Sequence, residues 1–190
     1  MSDLKSFISS NLYTTDQLLQ INLAIKSKVN IDKIAYPEYN NKLMEQIRIG
    51  LEDNTDISEY VPFYNYKQLK QIRLGIKEGI DYKRYLNDKF NYKQMYEIRI
   101  GLKRKINISK YAYPSFNADQ MYEIRLSLED DLNADLLVRG KYDSKQMREI
   151  RLGLKDNLNV FKYANPKYDW LQMYIIRNLL LEGYDVSCLL

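Results

Sequence analysis

Apolar and polar positions recur along the chain with a period of 26 residues, shortened once to 25. Within each repeat the apolar residues are spaced by three and four, as in Met95, Ile98 and Leu102, a spacing typical of an amphipathic α-helix. A second apolar position, such as Leu74 or Ile100, points to the other side of that helix. A helix with two apolar faces is expected to lie between two neighbours, and a period of 20 to 50 residues indicates a stacked array. We therefore predict an all-α fold, an α-solenoid of about seven repeats whose superhelical hand the sequence leaves open.

Each repeat begins with strong helix-start signals. Residue types that favour the N-cap stand at Thr14, Asn40, Asn65, Asn91, Asn117, Asp143 and Asp169. Gln follows three residues later in every repeat except the one with Leu43, which predicts a capping box. An aromatic residue precedes each cap and predicts a hydrophobic staple. We assign residues 1–190 to a single repeat domain with repeats starting near 14, 40, 65, 91, 117, 143 and 169, and residues 1–13 to a half-repeat cap.

The second half of each repeat is expected to be a shorter helix. Two residues beyond the end of the long helix stands Asn or Asp, for example Asn30, Asp56 or Asn107, which is suited to cap another turn. We predict a long helix of about 13 to 15 residues followed by a helix of one or two turns. The residue at the long helix's end varies, from Gly79 to Lys105, so its stop signal is uneven.

Arginine stands at the same position of six repeats, and this column of arginines has two interpretations. The column consists of Arg48, Arg73, Arg99, Arg125, Arg151 and Arg177. It is suited to bind a row of phosphates, or to join each repeat to its predecessor through the Asn/Asp column or helix-end carbonyls. The first repeat, with only a half-repeat before it, holds Asn22 instead, and this favours the structural interpretation. Glu97, Glu123 and Glu149, two residues before an arginine, are expected at the surface.

A column of small residues in mid-helix predicts close packing. It holds Ala24, Gly50, Gly75, Gly101, Ser127 and Gly153. Glycine costs a helix about 1 kcal/mol relative to alanine, so its recurrence predicts close helix approach at each junction.

Composition excludes several classes of function. The chain of 190 residues has no histidine and one cysteine, Cys188, which excludes imidazole chemistry and an intramolecular disulfide. We find no phosphate-binding glycine loop or nucleophile elbow, so we expect no catalytic residue, cofactor or metal. Without a secretory leader or a long apolar run, we expect a cytoplasmic protein that does not bind membranes.

The basic charge is concentrated in the middle of the chain. Residues 66–110 carry 13 basic and 4 acidic side chains and are rich in tyrosine. The candidate partner-binding residues are Lys67, Lys70, Lys77, Arg84, Lys93, Tyr96, Lys103, Arg104, Lys105 and Tyr122. Such a surface suits an acidic protein or nucleoprotein complex, our favoured partner, or binds RNA or DNA directly, or is only a solvated helix surface.

The end of the chain suggests a further partner. Its apolar residues are Leu179, Leu181, Leu189 and Leu190. They either fold back on the chain or contact another copy of it, so a homo-oligomer is a third interpretation.

The phrase Gln-Met-x-Glu-Ile-Arg-x-Gly-Leu, followed by Asn/Asp-Val/Ile-Ser-x-Tyr-Ala-x-Pro, resembles a short helical repeat found in uncharacterised proteins of gut Firmicutes, phages and mobile elements. The resemblance covers nearly the whole chain and implies no reaction, ligand or site residue. The abundance of Ile, Lys, Asn and Tyr also fits an AT-rich genome. Together they suggest a phage or mobile-element factor that inhibits a host defence complex such as CRISPR.

Overall fold

The computed structural model describes residues 4–187, and within them every regular element is helical. The α-helices are α1 (Leu4–Ser9), α2 (Thr15–Lys26), α3 (Asn41–Glu52), α4 (Tyr66–Lys77), α5 (Tyr92–Lys103), α6 (Ala118–Glu129), α7 (Asp135–Arg139), α8 (Ser144–Lys155) and α9 (Trp170–Leu181). The 3₁₀-helices are Ile31–Lys33, Ser58–Tyr60, Tyr82–Tyr85, Ile108–Lys110 and Val160–Lys162. Cys188, Leu189 and Leu190 lie outside the described residues, as do the first three residues of the predicted cap.

The helices are shorter than the sequence predicts. Each of the seven long helices has 12 residues rather than 13 to 15. The second element is a single 3₁₀ turn of three or four residues in repeats 1 to 4 and 6, and a five-residue α-helix, α7, in repeat 5. Repeat 5 has the good helix formers Ala134, Leu136 and Leu137 at this place and no proline after them.

The predicted helix caps are confirmed, and the glutamine has a second role. In α8 the Gln146 Oε1 accepts the Asp143 N–H at 2.8 Å, while the Asp143 carboxylate accepts the Gln146 N–H at 2.9 Å. The Gln146 Nε2 also donates to the carbonyls of Tyr168, at 2.5 Å, and Pro166, at 3.2 Å, in the next repeat. The same contact joins Gln17 to Tyr39 and Gln120 to Tyr142. The glutamine column therefore caps one helix and binds the next repeat with the same side chain.

All seven long helices end in the same conformation, whatever residue stands there. The residue after the C-cap has a positive φ at Lys28, Asn54, Gly79, Lys105, Asp131, Asn157 and Gly183. In α8, for example, the Asn157 N–H donates to the Leu154 carbonyl and the Leu158 N–H to the Gly153 carbonyl, which together make a Schellman motif. The uneven residues of the stop column thus adopt one shared geometry.

Replacing Asp131 by glycine should stabilise the protein. A left-handed backbone costs a residue with a Cβ about 1 to 2 kcal/mol, and a negative charge at a helix C-terminus is unfavourable. We expect Asp131→Gly to raise the free energy of unfolding by about 1 kcal/mol, measured by urea unfolding followed by circular dichroism. Asn157→Gly is the matched control, because asparagine tolerates this conformation, and an equal gain there would contradict the explanation.

Consecutive helices pack against each other in two compact bodies that divide between Met95 and Tyr96. In the N-terminal body α1 packs on α2, α2 on α3 and α3 on α4, with Ile21, Met44 and Ile47 in the core. In the C-terminal body α6 packs on α8 and α8 on α9. This confirms the predicted all-α repeat fold, whereas the half-repeat cap at residues 1–13 stays a prediction.

Three glycines of the small-residue column, Gly75, Gly101 and Gly153, make room for a tyrosine of their own repeat rather than for a neighbouring long helix. A Cβ at Gly101 would overlap the hydroxyl of Tyr111, which donates to the Glu97 carbonyl at 3.2 Å. Gly75 with Tyr85 and Gly153 with Tyr163 repeat this arrangement, ten residues apart. Where the tenth residue is Ile34 or Leu137, the small position holds Ala24 or Ser127. At these three glycines the prediction of close helix–helix approach is corrected to a tyrosine pocket within the repeat, whereas a Cβ at Gly50 would meet the Thr55 carbonyl of its own repeat at 2.7 Å.

Candidate functional site

Three arginines of the column, Arg125, Arg151 and Arg177, lie inside the C-terminal body, bonded to the repeat before them. The Nε atoms of Arg125, Arg151 and Arg177 donate to carboxylates 28 residues earlier, at 2.8, 2.7 and 2.9 Å. The acceptors are Glu97, Glu123 and Glu149, and all six side chains are buried. We call these three pairs the Arg–Glu ladder. The prediction that these glutamates lie at the surface is wrong, because each faces the following repeat rather than solvent.

The predicted link to the preceding repeat is confirmed, but its acceptor is a glutamate rather than the Asn/Asp column or a helix-end carbonyl. In the N-terminal body, Arg48 Nε donates to the amide oxygen of Gln20 at 3.1 Å, again 28 residues earlier. Arg73 differs: because one repeat is a residue shorter, its counterpart Gln46 lies 27 residues earlier. The Arg73 Nε and Gln46 Oε1 are buried with no hydrogen-bond partner, and Arg73 bonds Asp53 at 3.0 Å instead.

Two candidate tyrosines cover arginines of this column. Tyr96 and Tyr122 are 43% and 42% exposed, and their ring centroids lie 5.5 and 5.3 Å from the guanidinium carbons of Arg99 and Arg125. Each ring therefore has one face on a buried cation and one edge toward solvent. This arrangement leaves the arginines unsuited to bind a row of phosphates, because their charges are internal.

The other candidates of the C-terminal body lie at the end of α5. Lys103 is the last residue of α5, and Lys105 has the left-handed conformation that ends it. Arg104, 56% exposed at its side chain, is paired with Glu129 at 2.5 Å. Part of the basic run Lys103-Arg104-Lys105 is thus neutralised by the next repeat.

The candidates of the N-terminal body separate into two places. Lys77 is paired with Asp53 at 2.9 Å, and the pKa of that carboxyl lies below its ordinary value because Lys77 hydrogen-bonds to it and Arg73 lies nearby. Arg84 is exposed in the 3₁₀-helix Tyr82–Tyr85, and Lys93 is exposed in the first turn of α5. Lys67 and Lys70 lie together, on the wall of a groove.

This groove crosses the first turns of α3, α4 and α5 and encloses about 410 Å³. It is lined by Lys42, Glu45, Gln46, Tyr66, Lys67, Lys70, Gln71 and Tyr92, and we call it the Lys–Tyr groove. The Lys67 ammonium lies 4.7 Å from the centroid of the Tyr92 ring and 5.9 Å from that of Tyr66, and the Lys42 ammonium lies 5.4 Å from Tyr66. Lysines and tyrosines of successive repeats therefore alternate along it.

The groove combines positive charge with an unpaired buried acceptor. None of Lys42, Lys67 and Lys70 has a carboxylate within 4.0 Å among residues 4–187, whereas Lys33, Lys77, Lys110 and Lys155 each have one. The unpaired Gln46 Oε1 belongs to a groove-lining side chain that is 6% exposed. Three basic side chains thus gather in the groove with no ion-pair partner, although the carboxylate of Glu45 also lines it.

Sequence reasoning missed Lys42, Tyr66 and Tyr92 as members of one site. Lys42 lies before the basic segment 66–110, so a charge count along the chain leaves it out. The sequence does show that these residues are equivalent in successive repeats. Lys42 and Lys67 are the second residues of successive long helices, and Tyr66 and Tyr92 are the first residues.

Within the described part of the chain, no three His, Cys, Asp or Glu side chains are placed to hold a metal ion. No helix in residues 4–187 is long and apolar enough to span a membrane. Comparison with protein-family models, with curated proteins and with solved structures finds no match. The resemblance to repeats of Firmicutes and phage proteins therefore stays a prediction.

Proposed function

We propose that this protein is a non-enzymatic binding module that docks a protein or nucleoprotein partner through its basic, tyrosine-rich surface, with the Lys–Tyr groove as the principal contact. The observation that carries the proposal is the convergence of Lys42, Lys67 and Lys70 around two tyrosines without a carboxylate partner. A surface that keeps three ammonium groups unpaired is complementary to an acidic surface.

The placement of the lysines favours a partner that brings carboxylates over one that inserts bases. Direct binding of single-stranded nucleic acid relies on aromatic faces that bases stack on. Here an ammonium group already lies over the rings of both Tyr66 and Tyr92. Arginines are the residues best suited to bind phosphates, and five of the six arginines of the column are buried. The resemblance to phage and mobile-element repeats makes a bacterial defence complex the first class of partner to test.

Reversing the groove charge should abolish partner capture. We expect tagged Lys67→Glu/Lys70→Glu protein to retain less than about a tenth of the partner that the unmodified protein retains, because each new carboxylate repels an acidic surface. Capture is measured by quantitative mass spectrometry on lysate of a bacterium with an AT-rich genome. The variant should fold, because both lysines are exposed and an acidic residue at position 67, in the first turn of α4, is favourable.

The matched control is Lys141→Glu/Lys167→Glu, which makes the same change of net charge at two exposed lysines outside the groove. Equal capture by the groove variant and the control would contradict the proposal. Purified protein is also tested against single-stranded and duplex oligonucleotides. Retention of an oligonucleotide that weakens steeply with salt would assign the surface to direct nucleic-acid binding instead.

A further inference from the structure

The last long helix, α9, differs from the six before it at four equivalent positions of the repeat. Leu171, Ile175 and Leu181 stand where every earlier helix has a polar or charged residue. The residues equivalent to Leu171 are Asp16, Lys42, Lys67, Lys93, Asp119 and Lys145, and those equivalent to Ile175 are Gln20, Gln46, Gln71, Glu97, Glu123 and Glu149. The residues equivalent to Leu181 are Lys26, Glu52, Lys77, Lys103, Glu129 and Lys155. Asn178, conversely, replaces Leu23, Ile49, Leu74, Ile100, Leu126 and Leu152.

These residues form one stripe along α9. Leu171, Tyr174, Ile175, Asn178 and Leu181 are spaced by three or four residues, so they share a face of the helix. The four apolar members are 42% to 48% exposed. In α8 this face carries Glu149, which accepts the Arg177 bond from the following repeat. Of the equivalent residues in α8, Glu149 is buried, Leu152 is partly buried, and Lys145, Arg148 and Lys155 are exposed. The stripe therefore places apolar residues beside the repeat junction, where α8 has mostly charged ones.

The side chains of the stripe are suited to pack against the same stripe of a second copy of the protein. The stripe's five residues are uncharged, and Glu182, the C-cap residue that follows them on this face, is exposed at the helix end, so an identical stripe brings no buried, unpaired charge to its centre. Its polar member, Asn178, both donates and accepts, and satisfies itself against the same amide or the Tyr174 hydroxyl of another copy. One asparagine within an apolar helix stripe is the pattern that fixes register in helix pairs.

The other end of the chain does not offer a binding face for this stripe. Leu4 and Phe7 of α1 pack against the core that α2 and α3 share, so α1 covers the outer side of α2. Stacking the α9 of one copy on the α2 of the next would require α1 to be displaced. The arrangement left to two copies is α9 against α9.

We propose that the protein forms a two-fold symmetric dimer through the α9 stripe, an inference separate from the proposed function of the Lys–Tyr groove. The same patch then contributes from both copies, as in most dimers of identical chains. A single helix face is smaller than a standard interface of about 800 Å² per partner, so we expect a dissociation constant of roughly 1 to 100 μM.

The test is sedimentation equilibrium with reductant between about 1 and 500 μM, a range that brackets the expected dissociation constant. We expect the mass to rise from 22.7 kDa toward twice that value. Trp170 is the single tryptophan and lies at the start of α9, 40% exposed, so its fluorescence should shift to shorter wavelength as the dimer forms.

Leu171→Lys/Ile175→Glu should remain monomeric. It gives α9 the residues that α8 carries at Lys145 and Glu149, so the helix is expected to fold. The control Phe161→Glu changes an apolar residue that is 80% exposed outside α9, and should leave the dissociation constant unchanged. Asn178→Leu, which restores the apolar residue type of the other repeats, should tighten association by at least about tenfold, because a buried polar residue costs stability.

Three results would overturn the proposal. They are a mass of 22.7 kDa at every concentration, association without a change in Trp170 fluorescence, and equal dissociation constants for the unmodified protein and Asn178→Leu. The last comparison decides the question even if the double variant fails to fold.

Discussion

Removing the Glu123 carboxylate is expected to lower the free energy of unfolding by about 3 to 5 kcal/mol, the typical cost of breaking a buried ion pair. Arg151 donates to Glu123 at 2.7 Å, and the two side chains are 10% and 8% exposed. In Glu123→Ala the guanidinium keeps its burial and loses its acceptor, so its lost hydration is no longer offset. The measurement is chemical unfolding followed by circular dichroism.

Two further variants separate this explanation from a general sensitivity of the helices. Glu123→Gln should cost clearly less than the alanine change, because an amide oxygen accepts the same bond, as Gln20 does from Arg48. Lys155→Met in α8 breaks an ion pair to Asp130 whose lysine is 55% exposed, and should cost less than about 1 kcal/mol. If Glu123→Ala costs no more than Lys155→Met, the Arg–Glu ladder does not hold the repeats together.

Gly101→Ala should destabilise the protein by about 2 kcal/mol, although alanine is the better helix former. A Cβ there would overlap the Tyr111 hydroxyl, and the nearest other side-chain atom outside Tyr111, Ile108 Cγ2, lies 3.0 Å away. Tyr111 is fully buried and its hydroxyl is bonded to the Glu97 carbonyl, so the ring is held in place. Thermal and urea unfolding would measure the effect.

The background Tyr111→Leu provides the control, since Leu137 stands at this position opposite Ser127. Without the hydroxyl, the same Gly101→Ala change should cost less than about 1 kcal/mol. An equal cost in both backgrounds would show that the tyrosine is not the reason for the glycine.

The helices and their caps could be predicted because their causes are local. The box formed by Asp143 and Gln146 spans three residues, and the period of 26 residues is visible without any partner. The lengths were overestimated because a C-cap residue, such as Ser27, stands between the last residue of each long helix and the left-handed residue of the stop column.

The contacts between repeats were harder to predict because the period of a helix does not show how many residues separate two bonded partners in successive repeats. Glu123 meets an arginine 28 residues later, and Gln120 meets a carbonyl 22 residues later. A signal for the first contact was present at both ends of the chain: the first repeat lacks the arginine and has Asn22, and the last lacks the glutamate and has Ile175. Each of these two repeats has no full neighbouring repeat on that side within the described residues.

Only some residues of the candidate surface were predicted, because its members also come from different repeats. Lys67 and Lys70 were found by counting charge along the chain, whereas the groove gathers equivalent positions of successive repeats and so includes Lys42. The role of Lys77 and Arg104 as ion-pair partners depends on Asp53 and Glu129, more than 20 residues away.

The direction of the Arg–Glu ladder bears on how such a chain grows. In α8, Arg151 binds backward to Glu123 and Glu149 is bound from ahead by Arg177, so the sixth repeat carries one half of each of two bonds. An in-frame tandem duplication of residues 143–168 would place Arg151 of the new copy beside Glu149 of the old one, a pairing of the same residue types. A tandem duplication in the interior therefore conserves the residue types of both bonds.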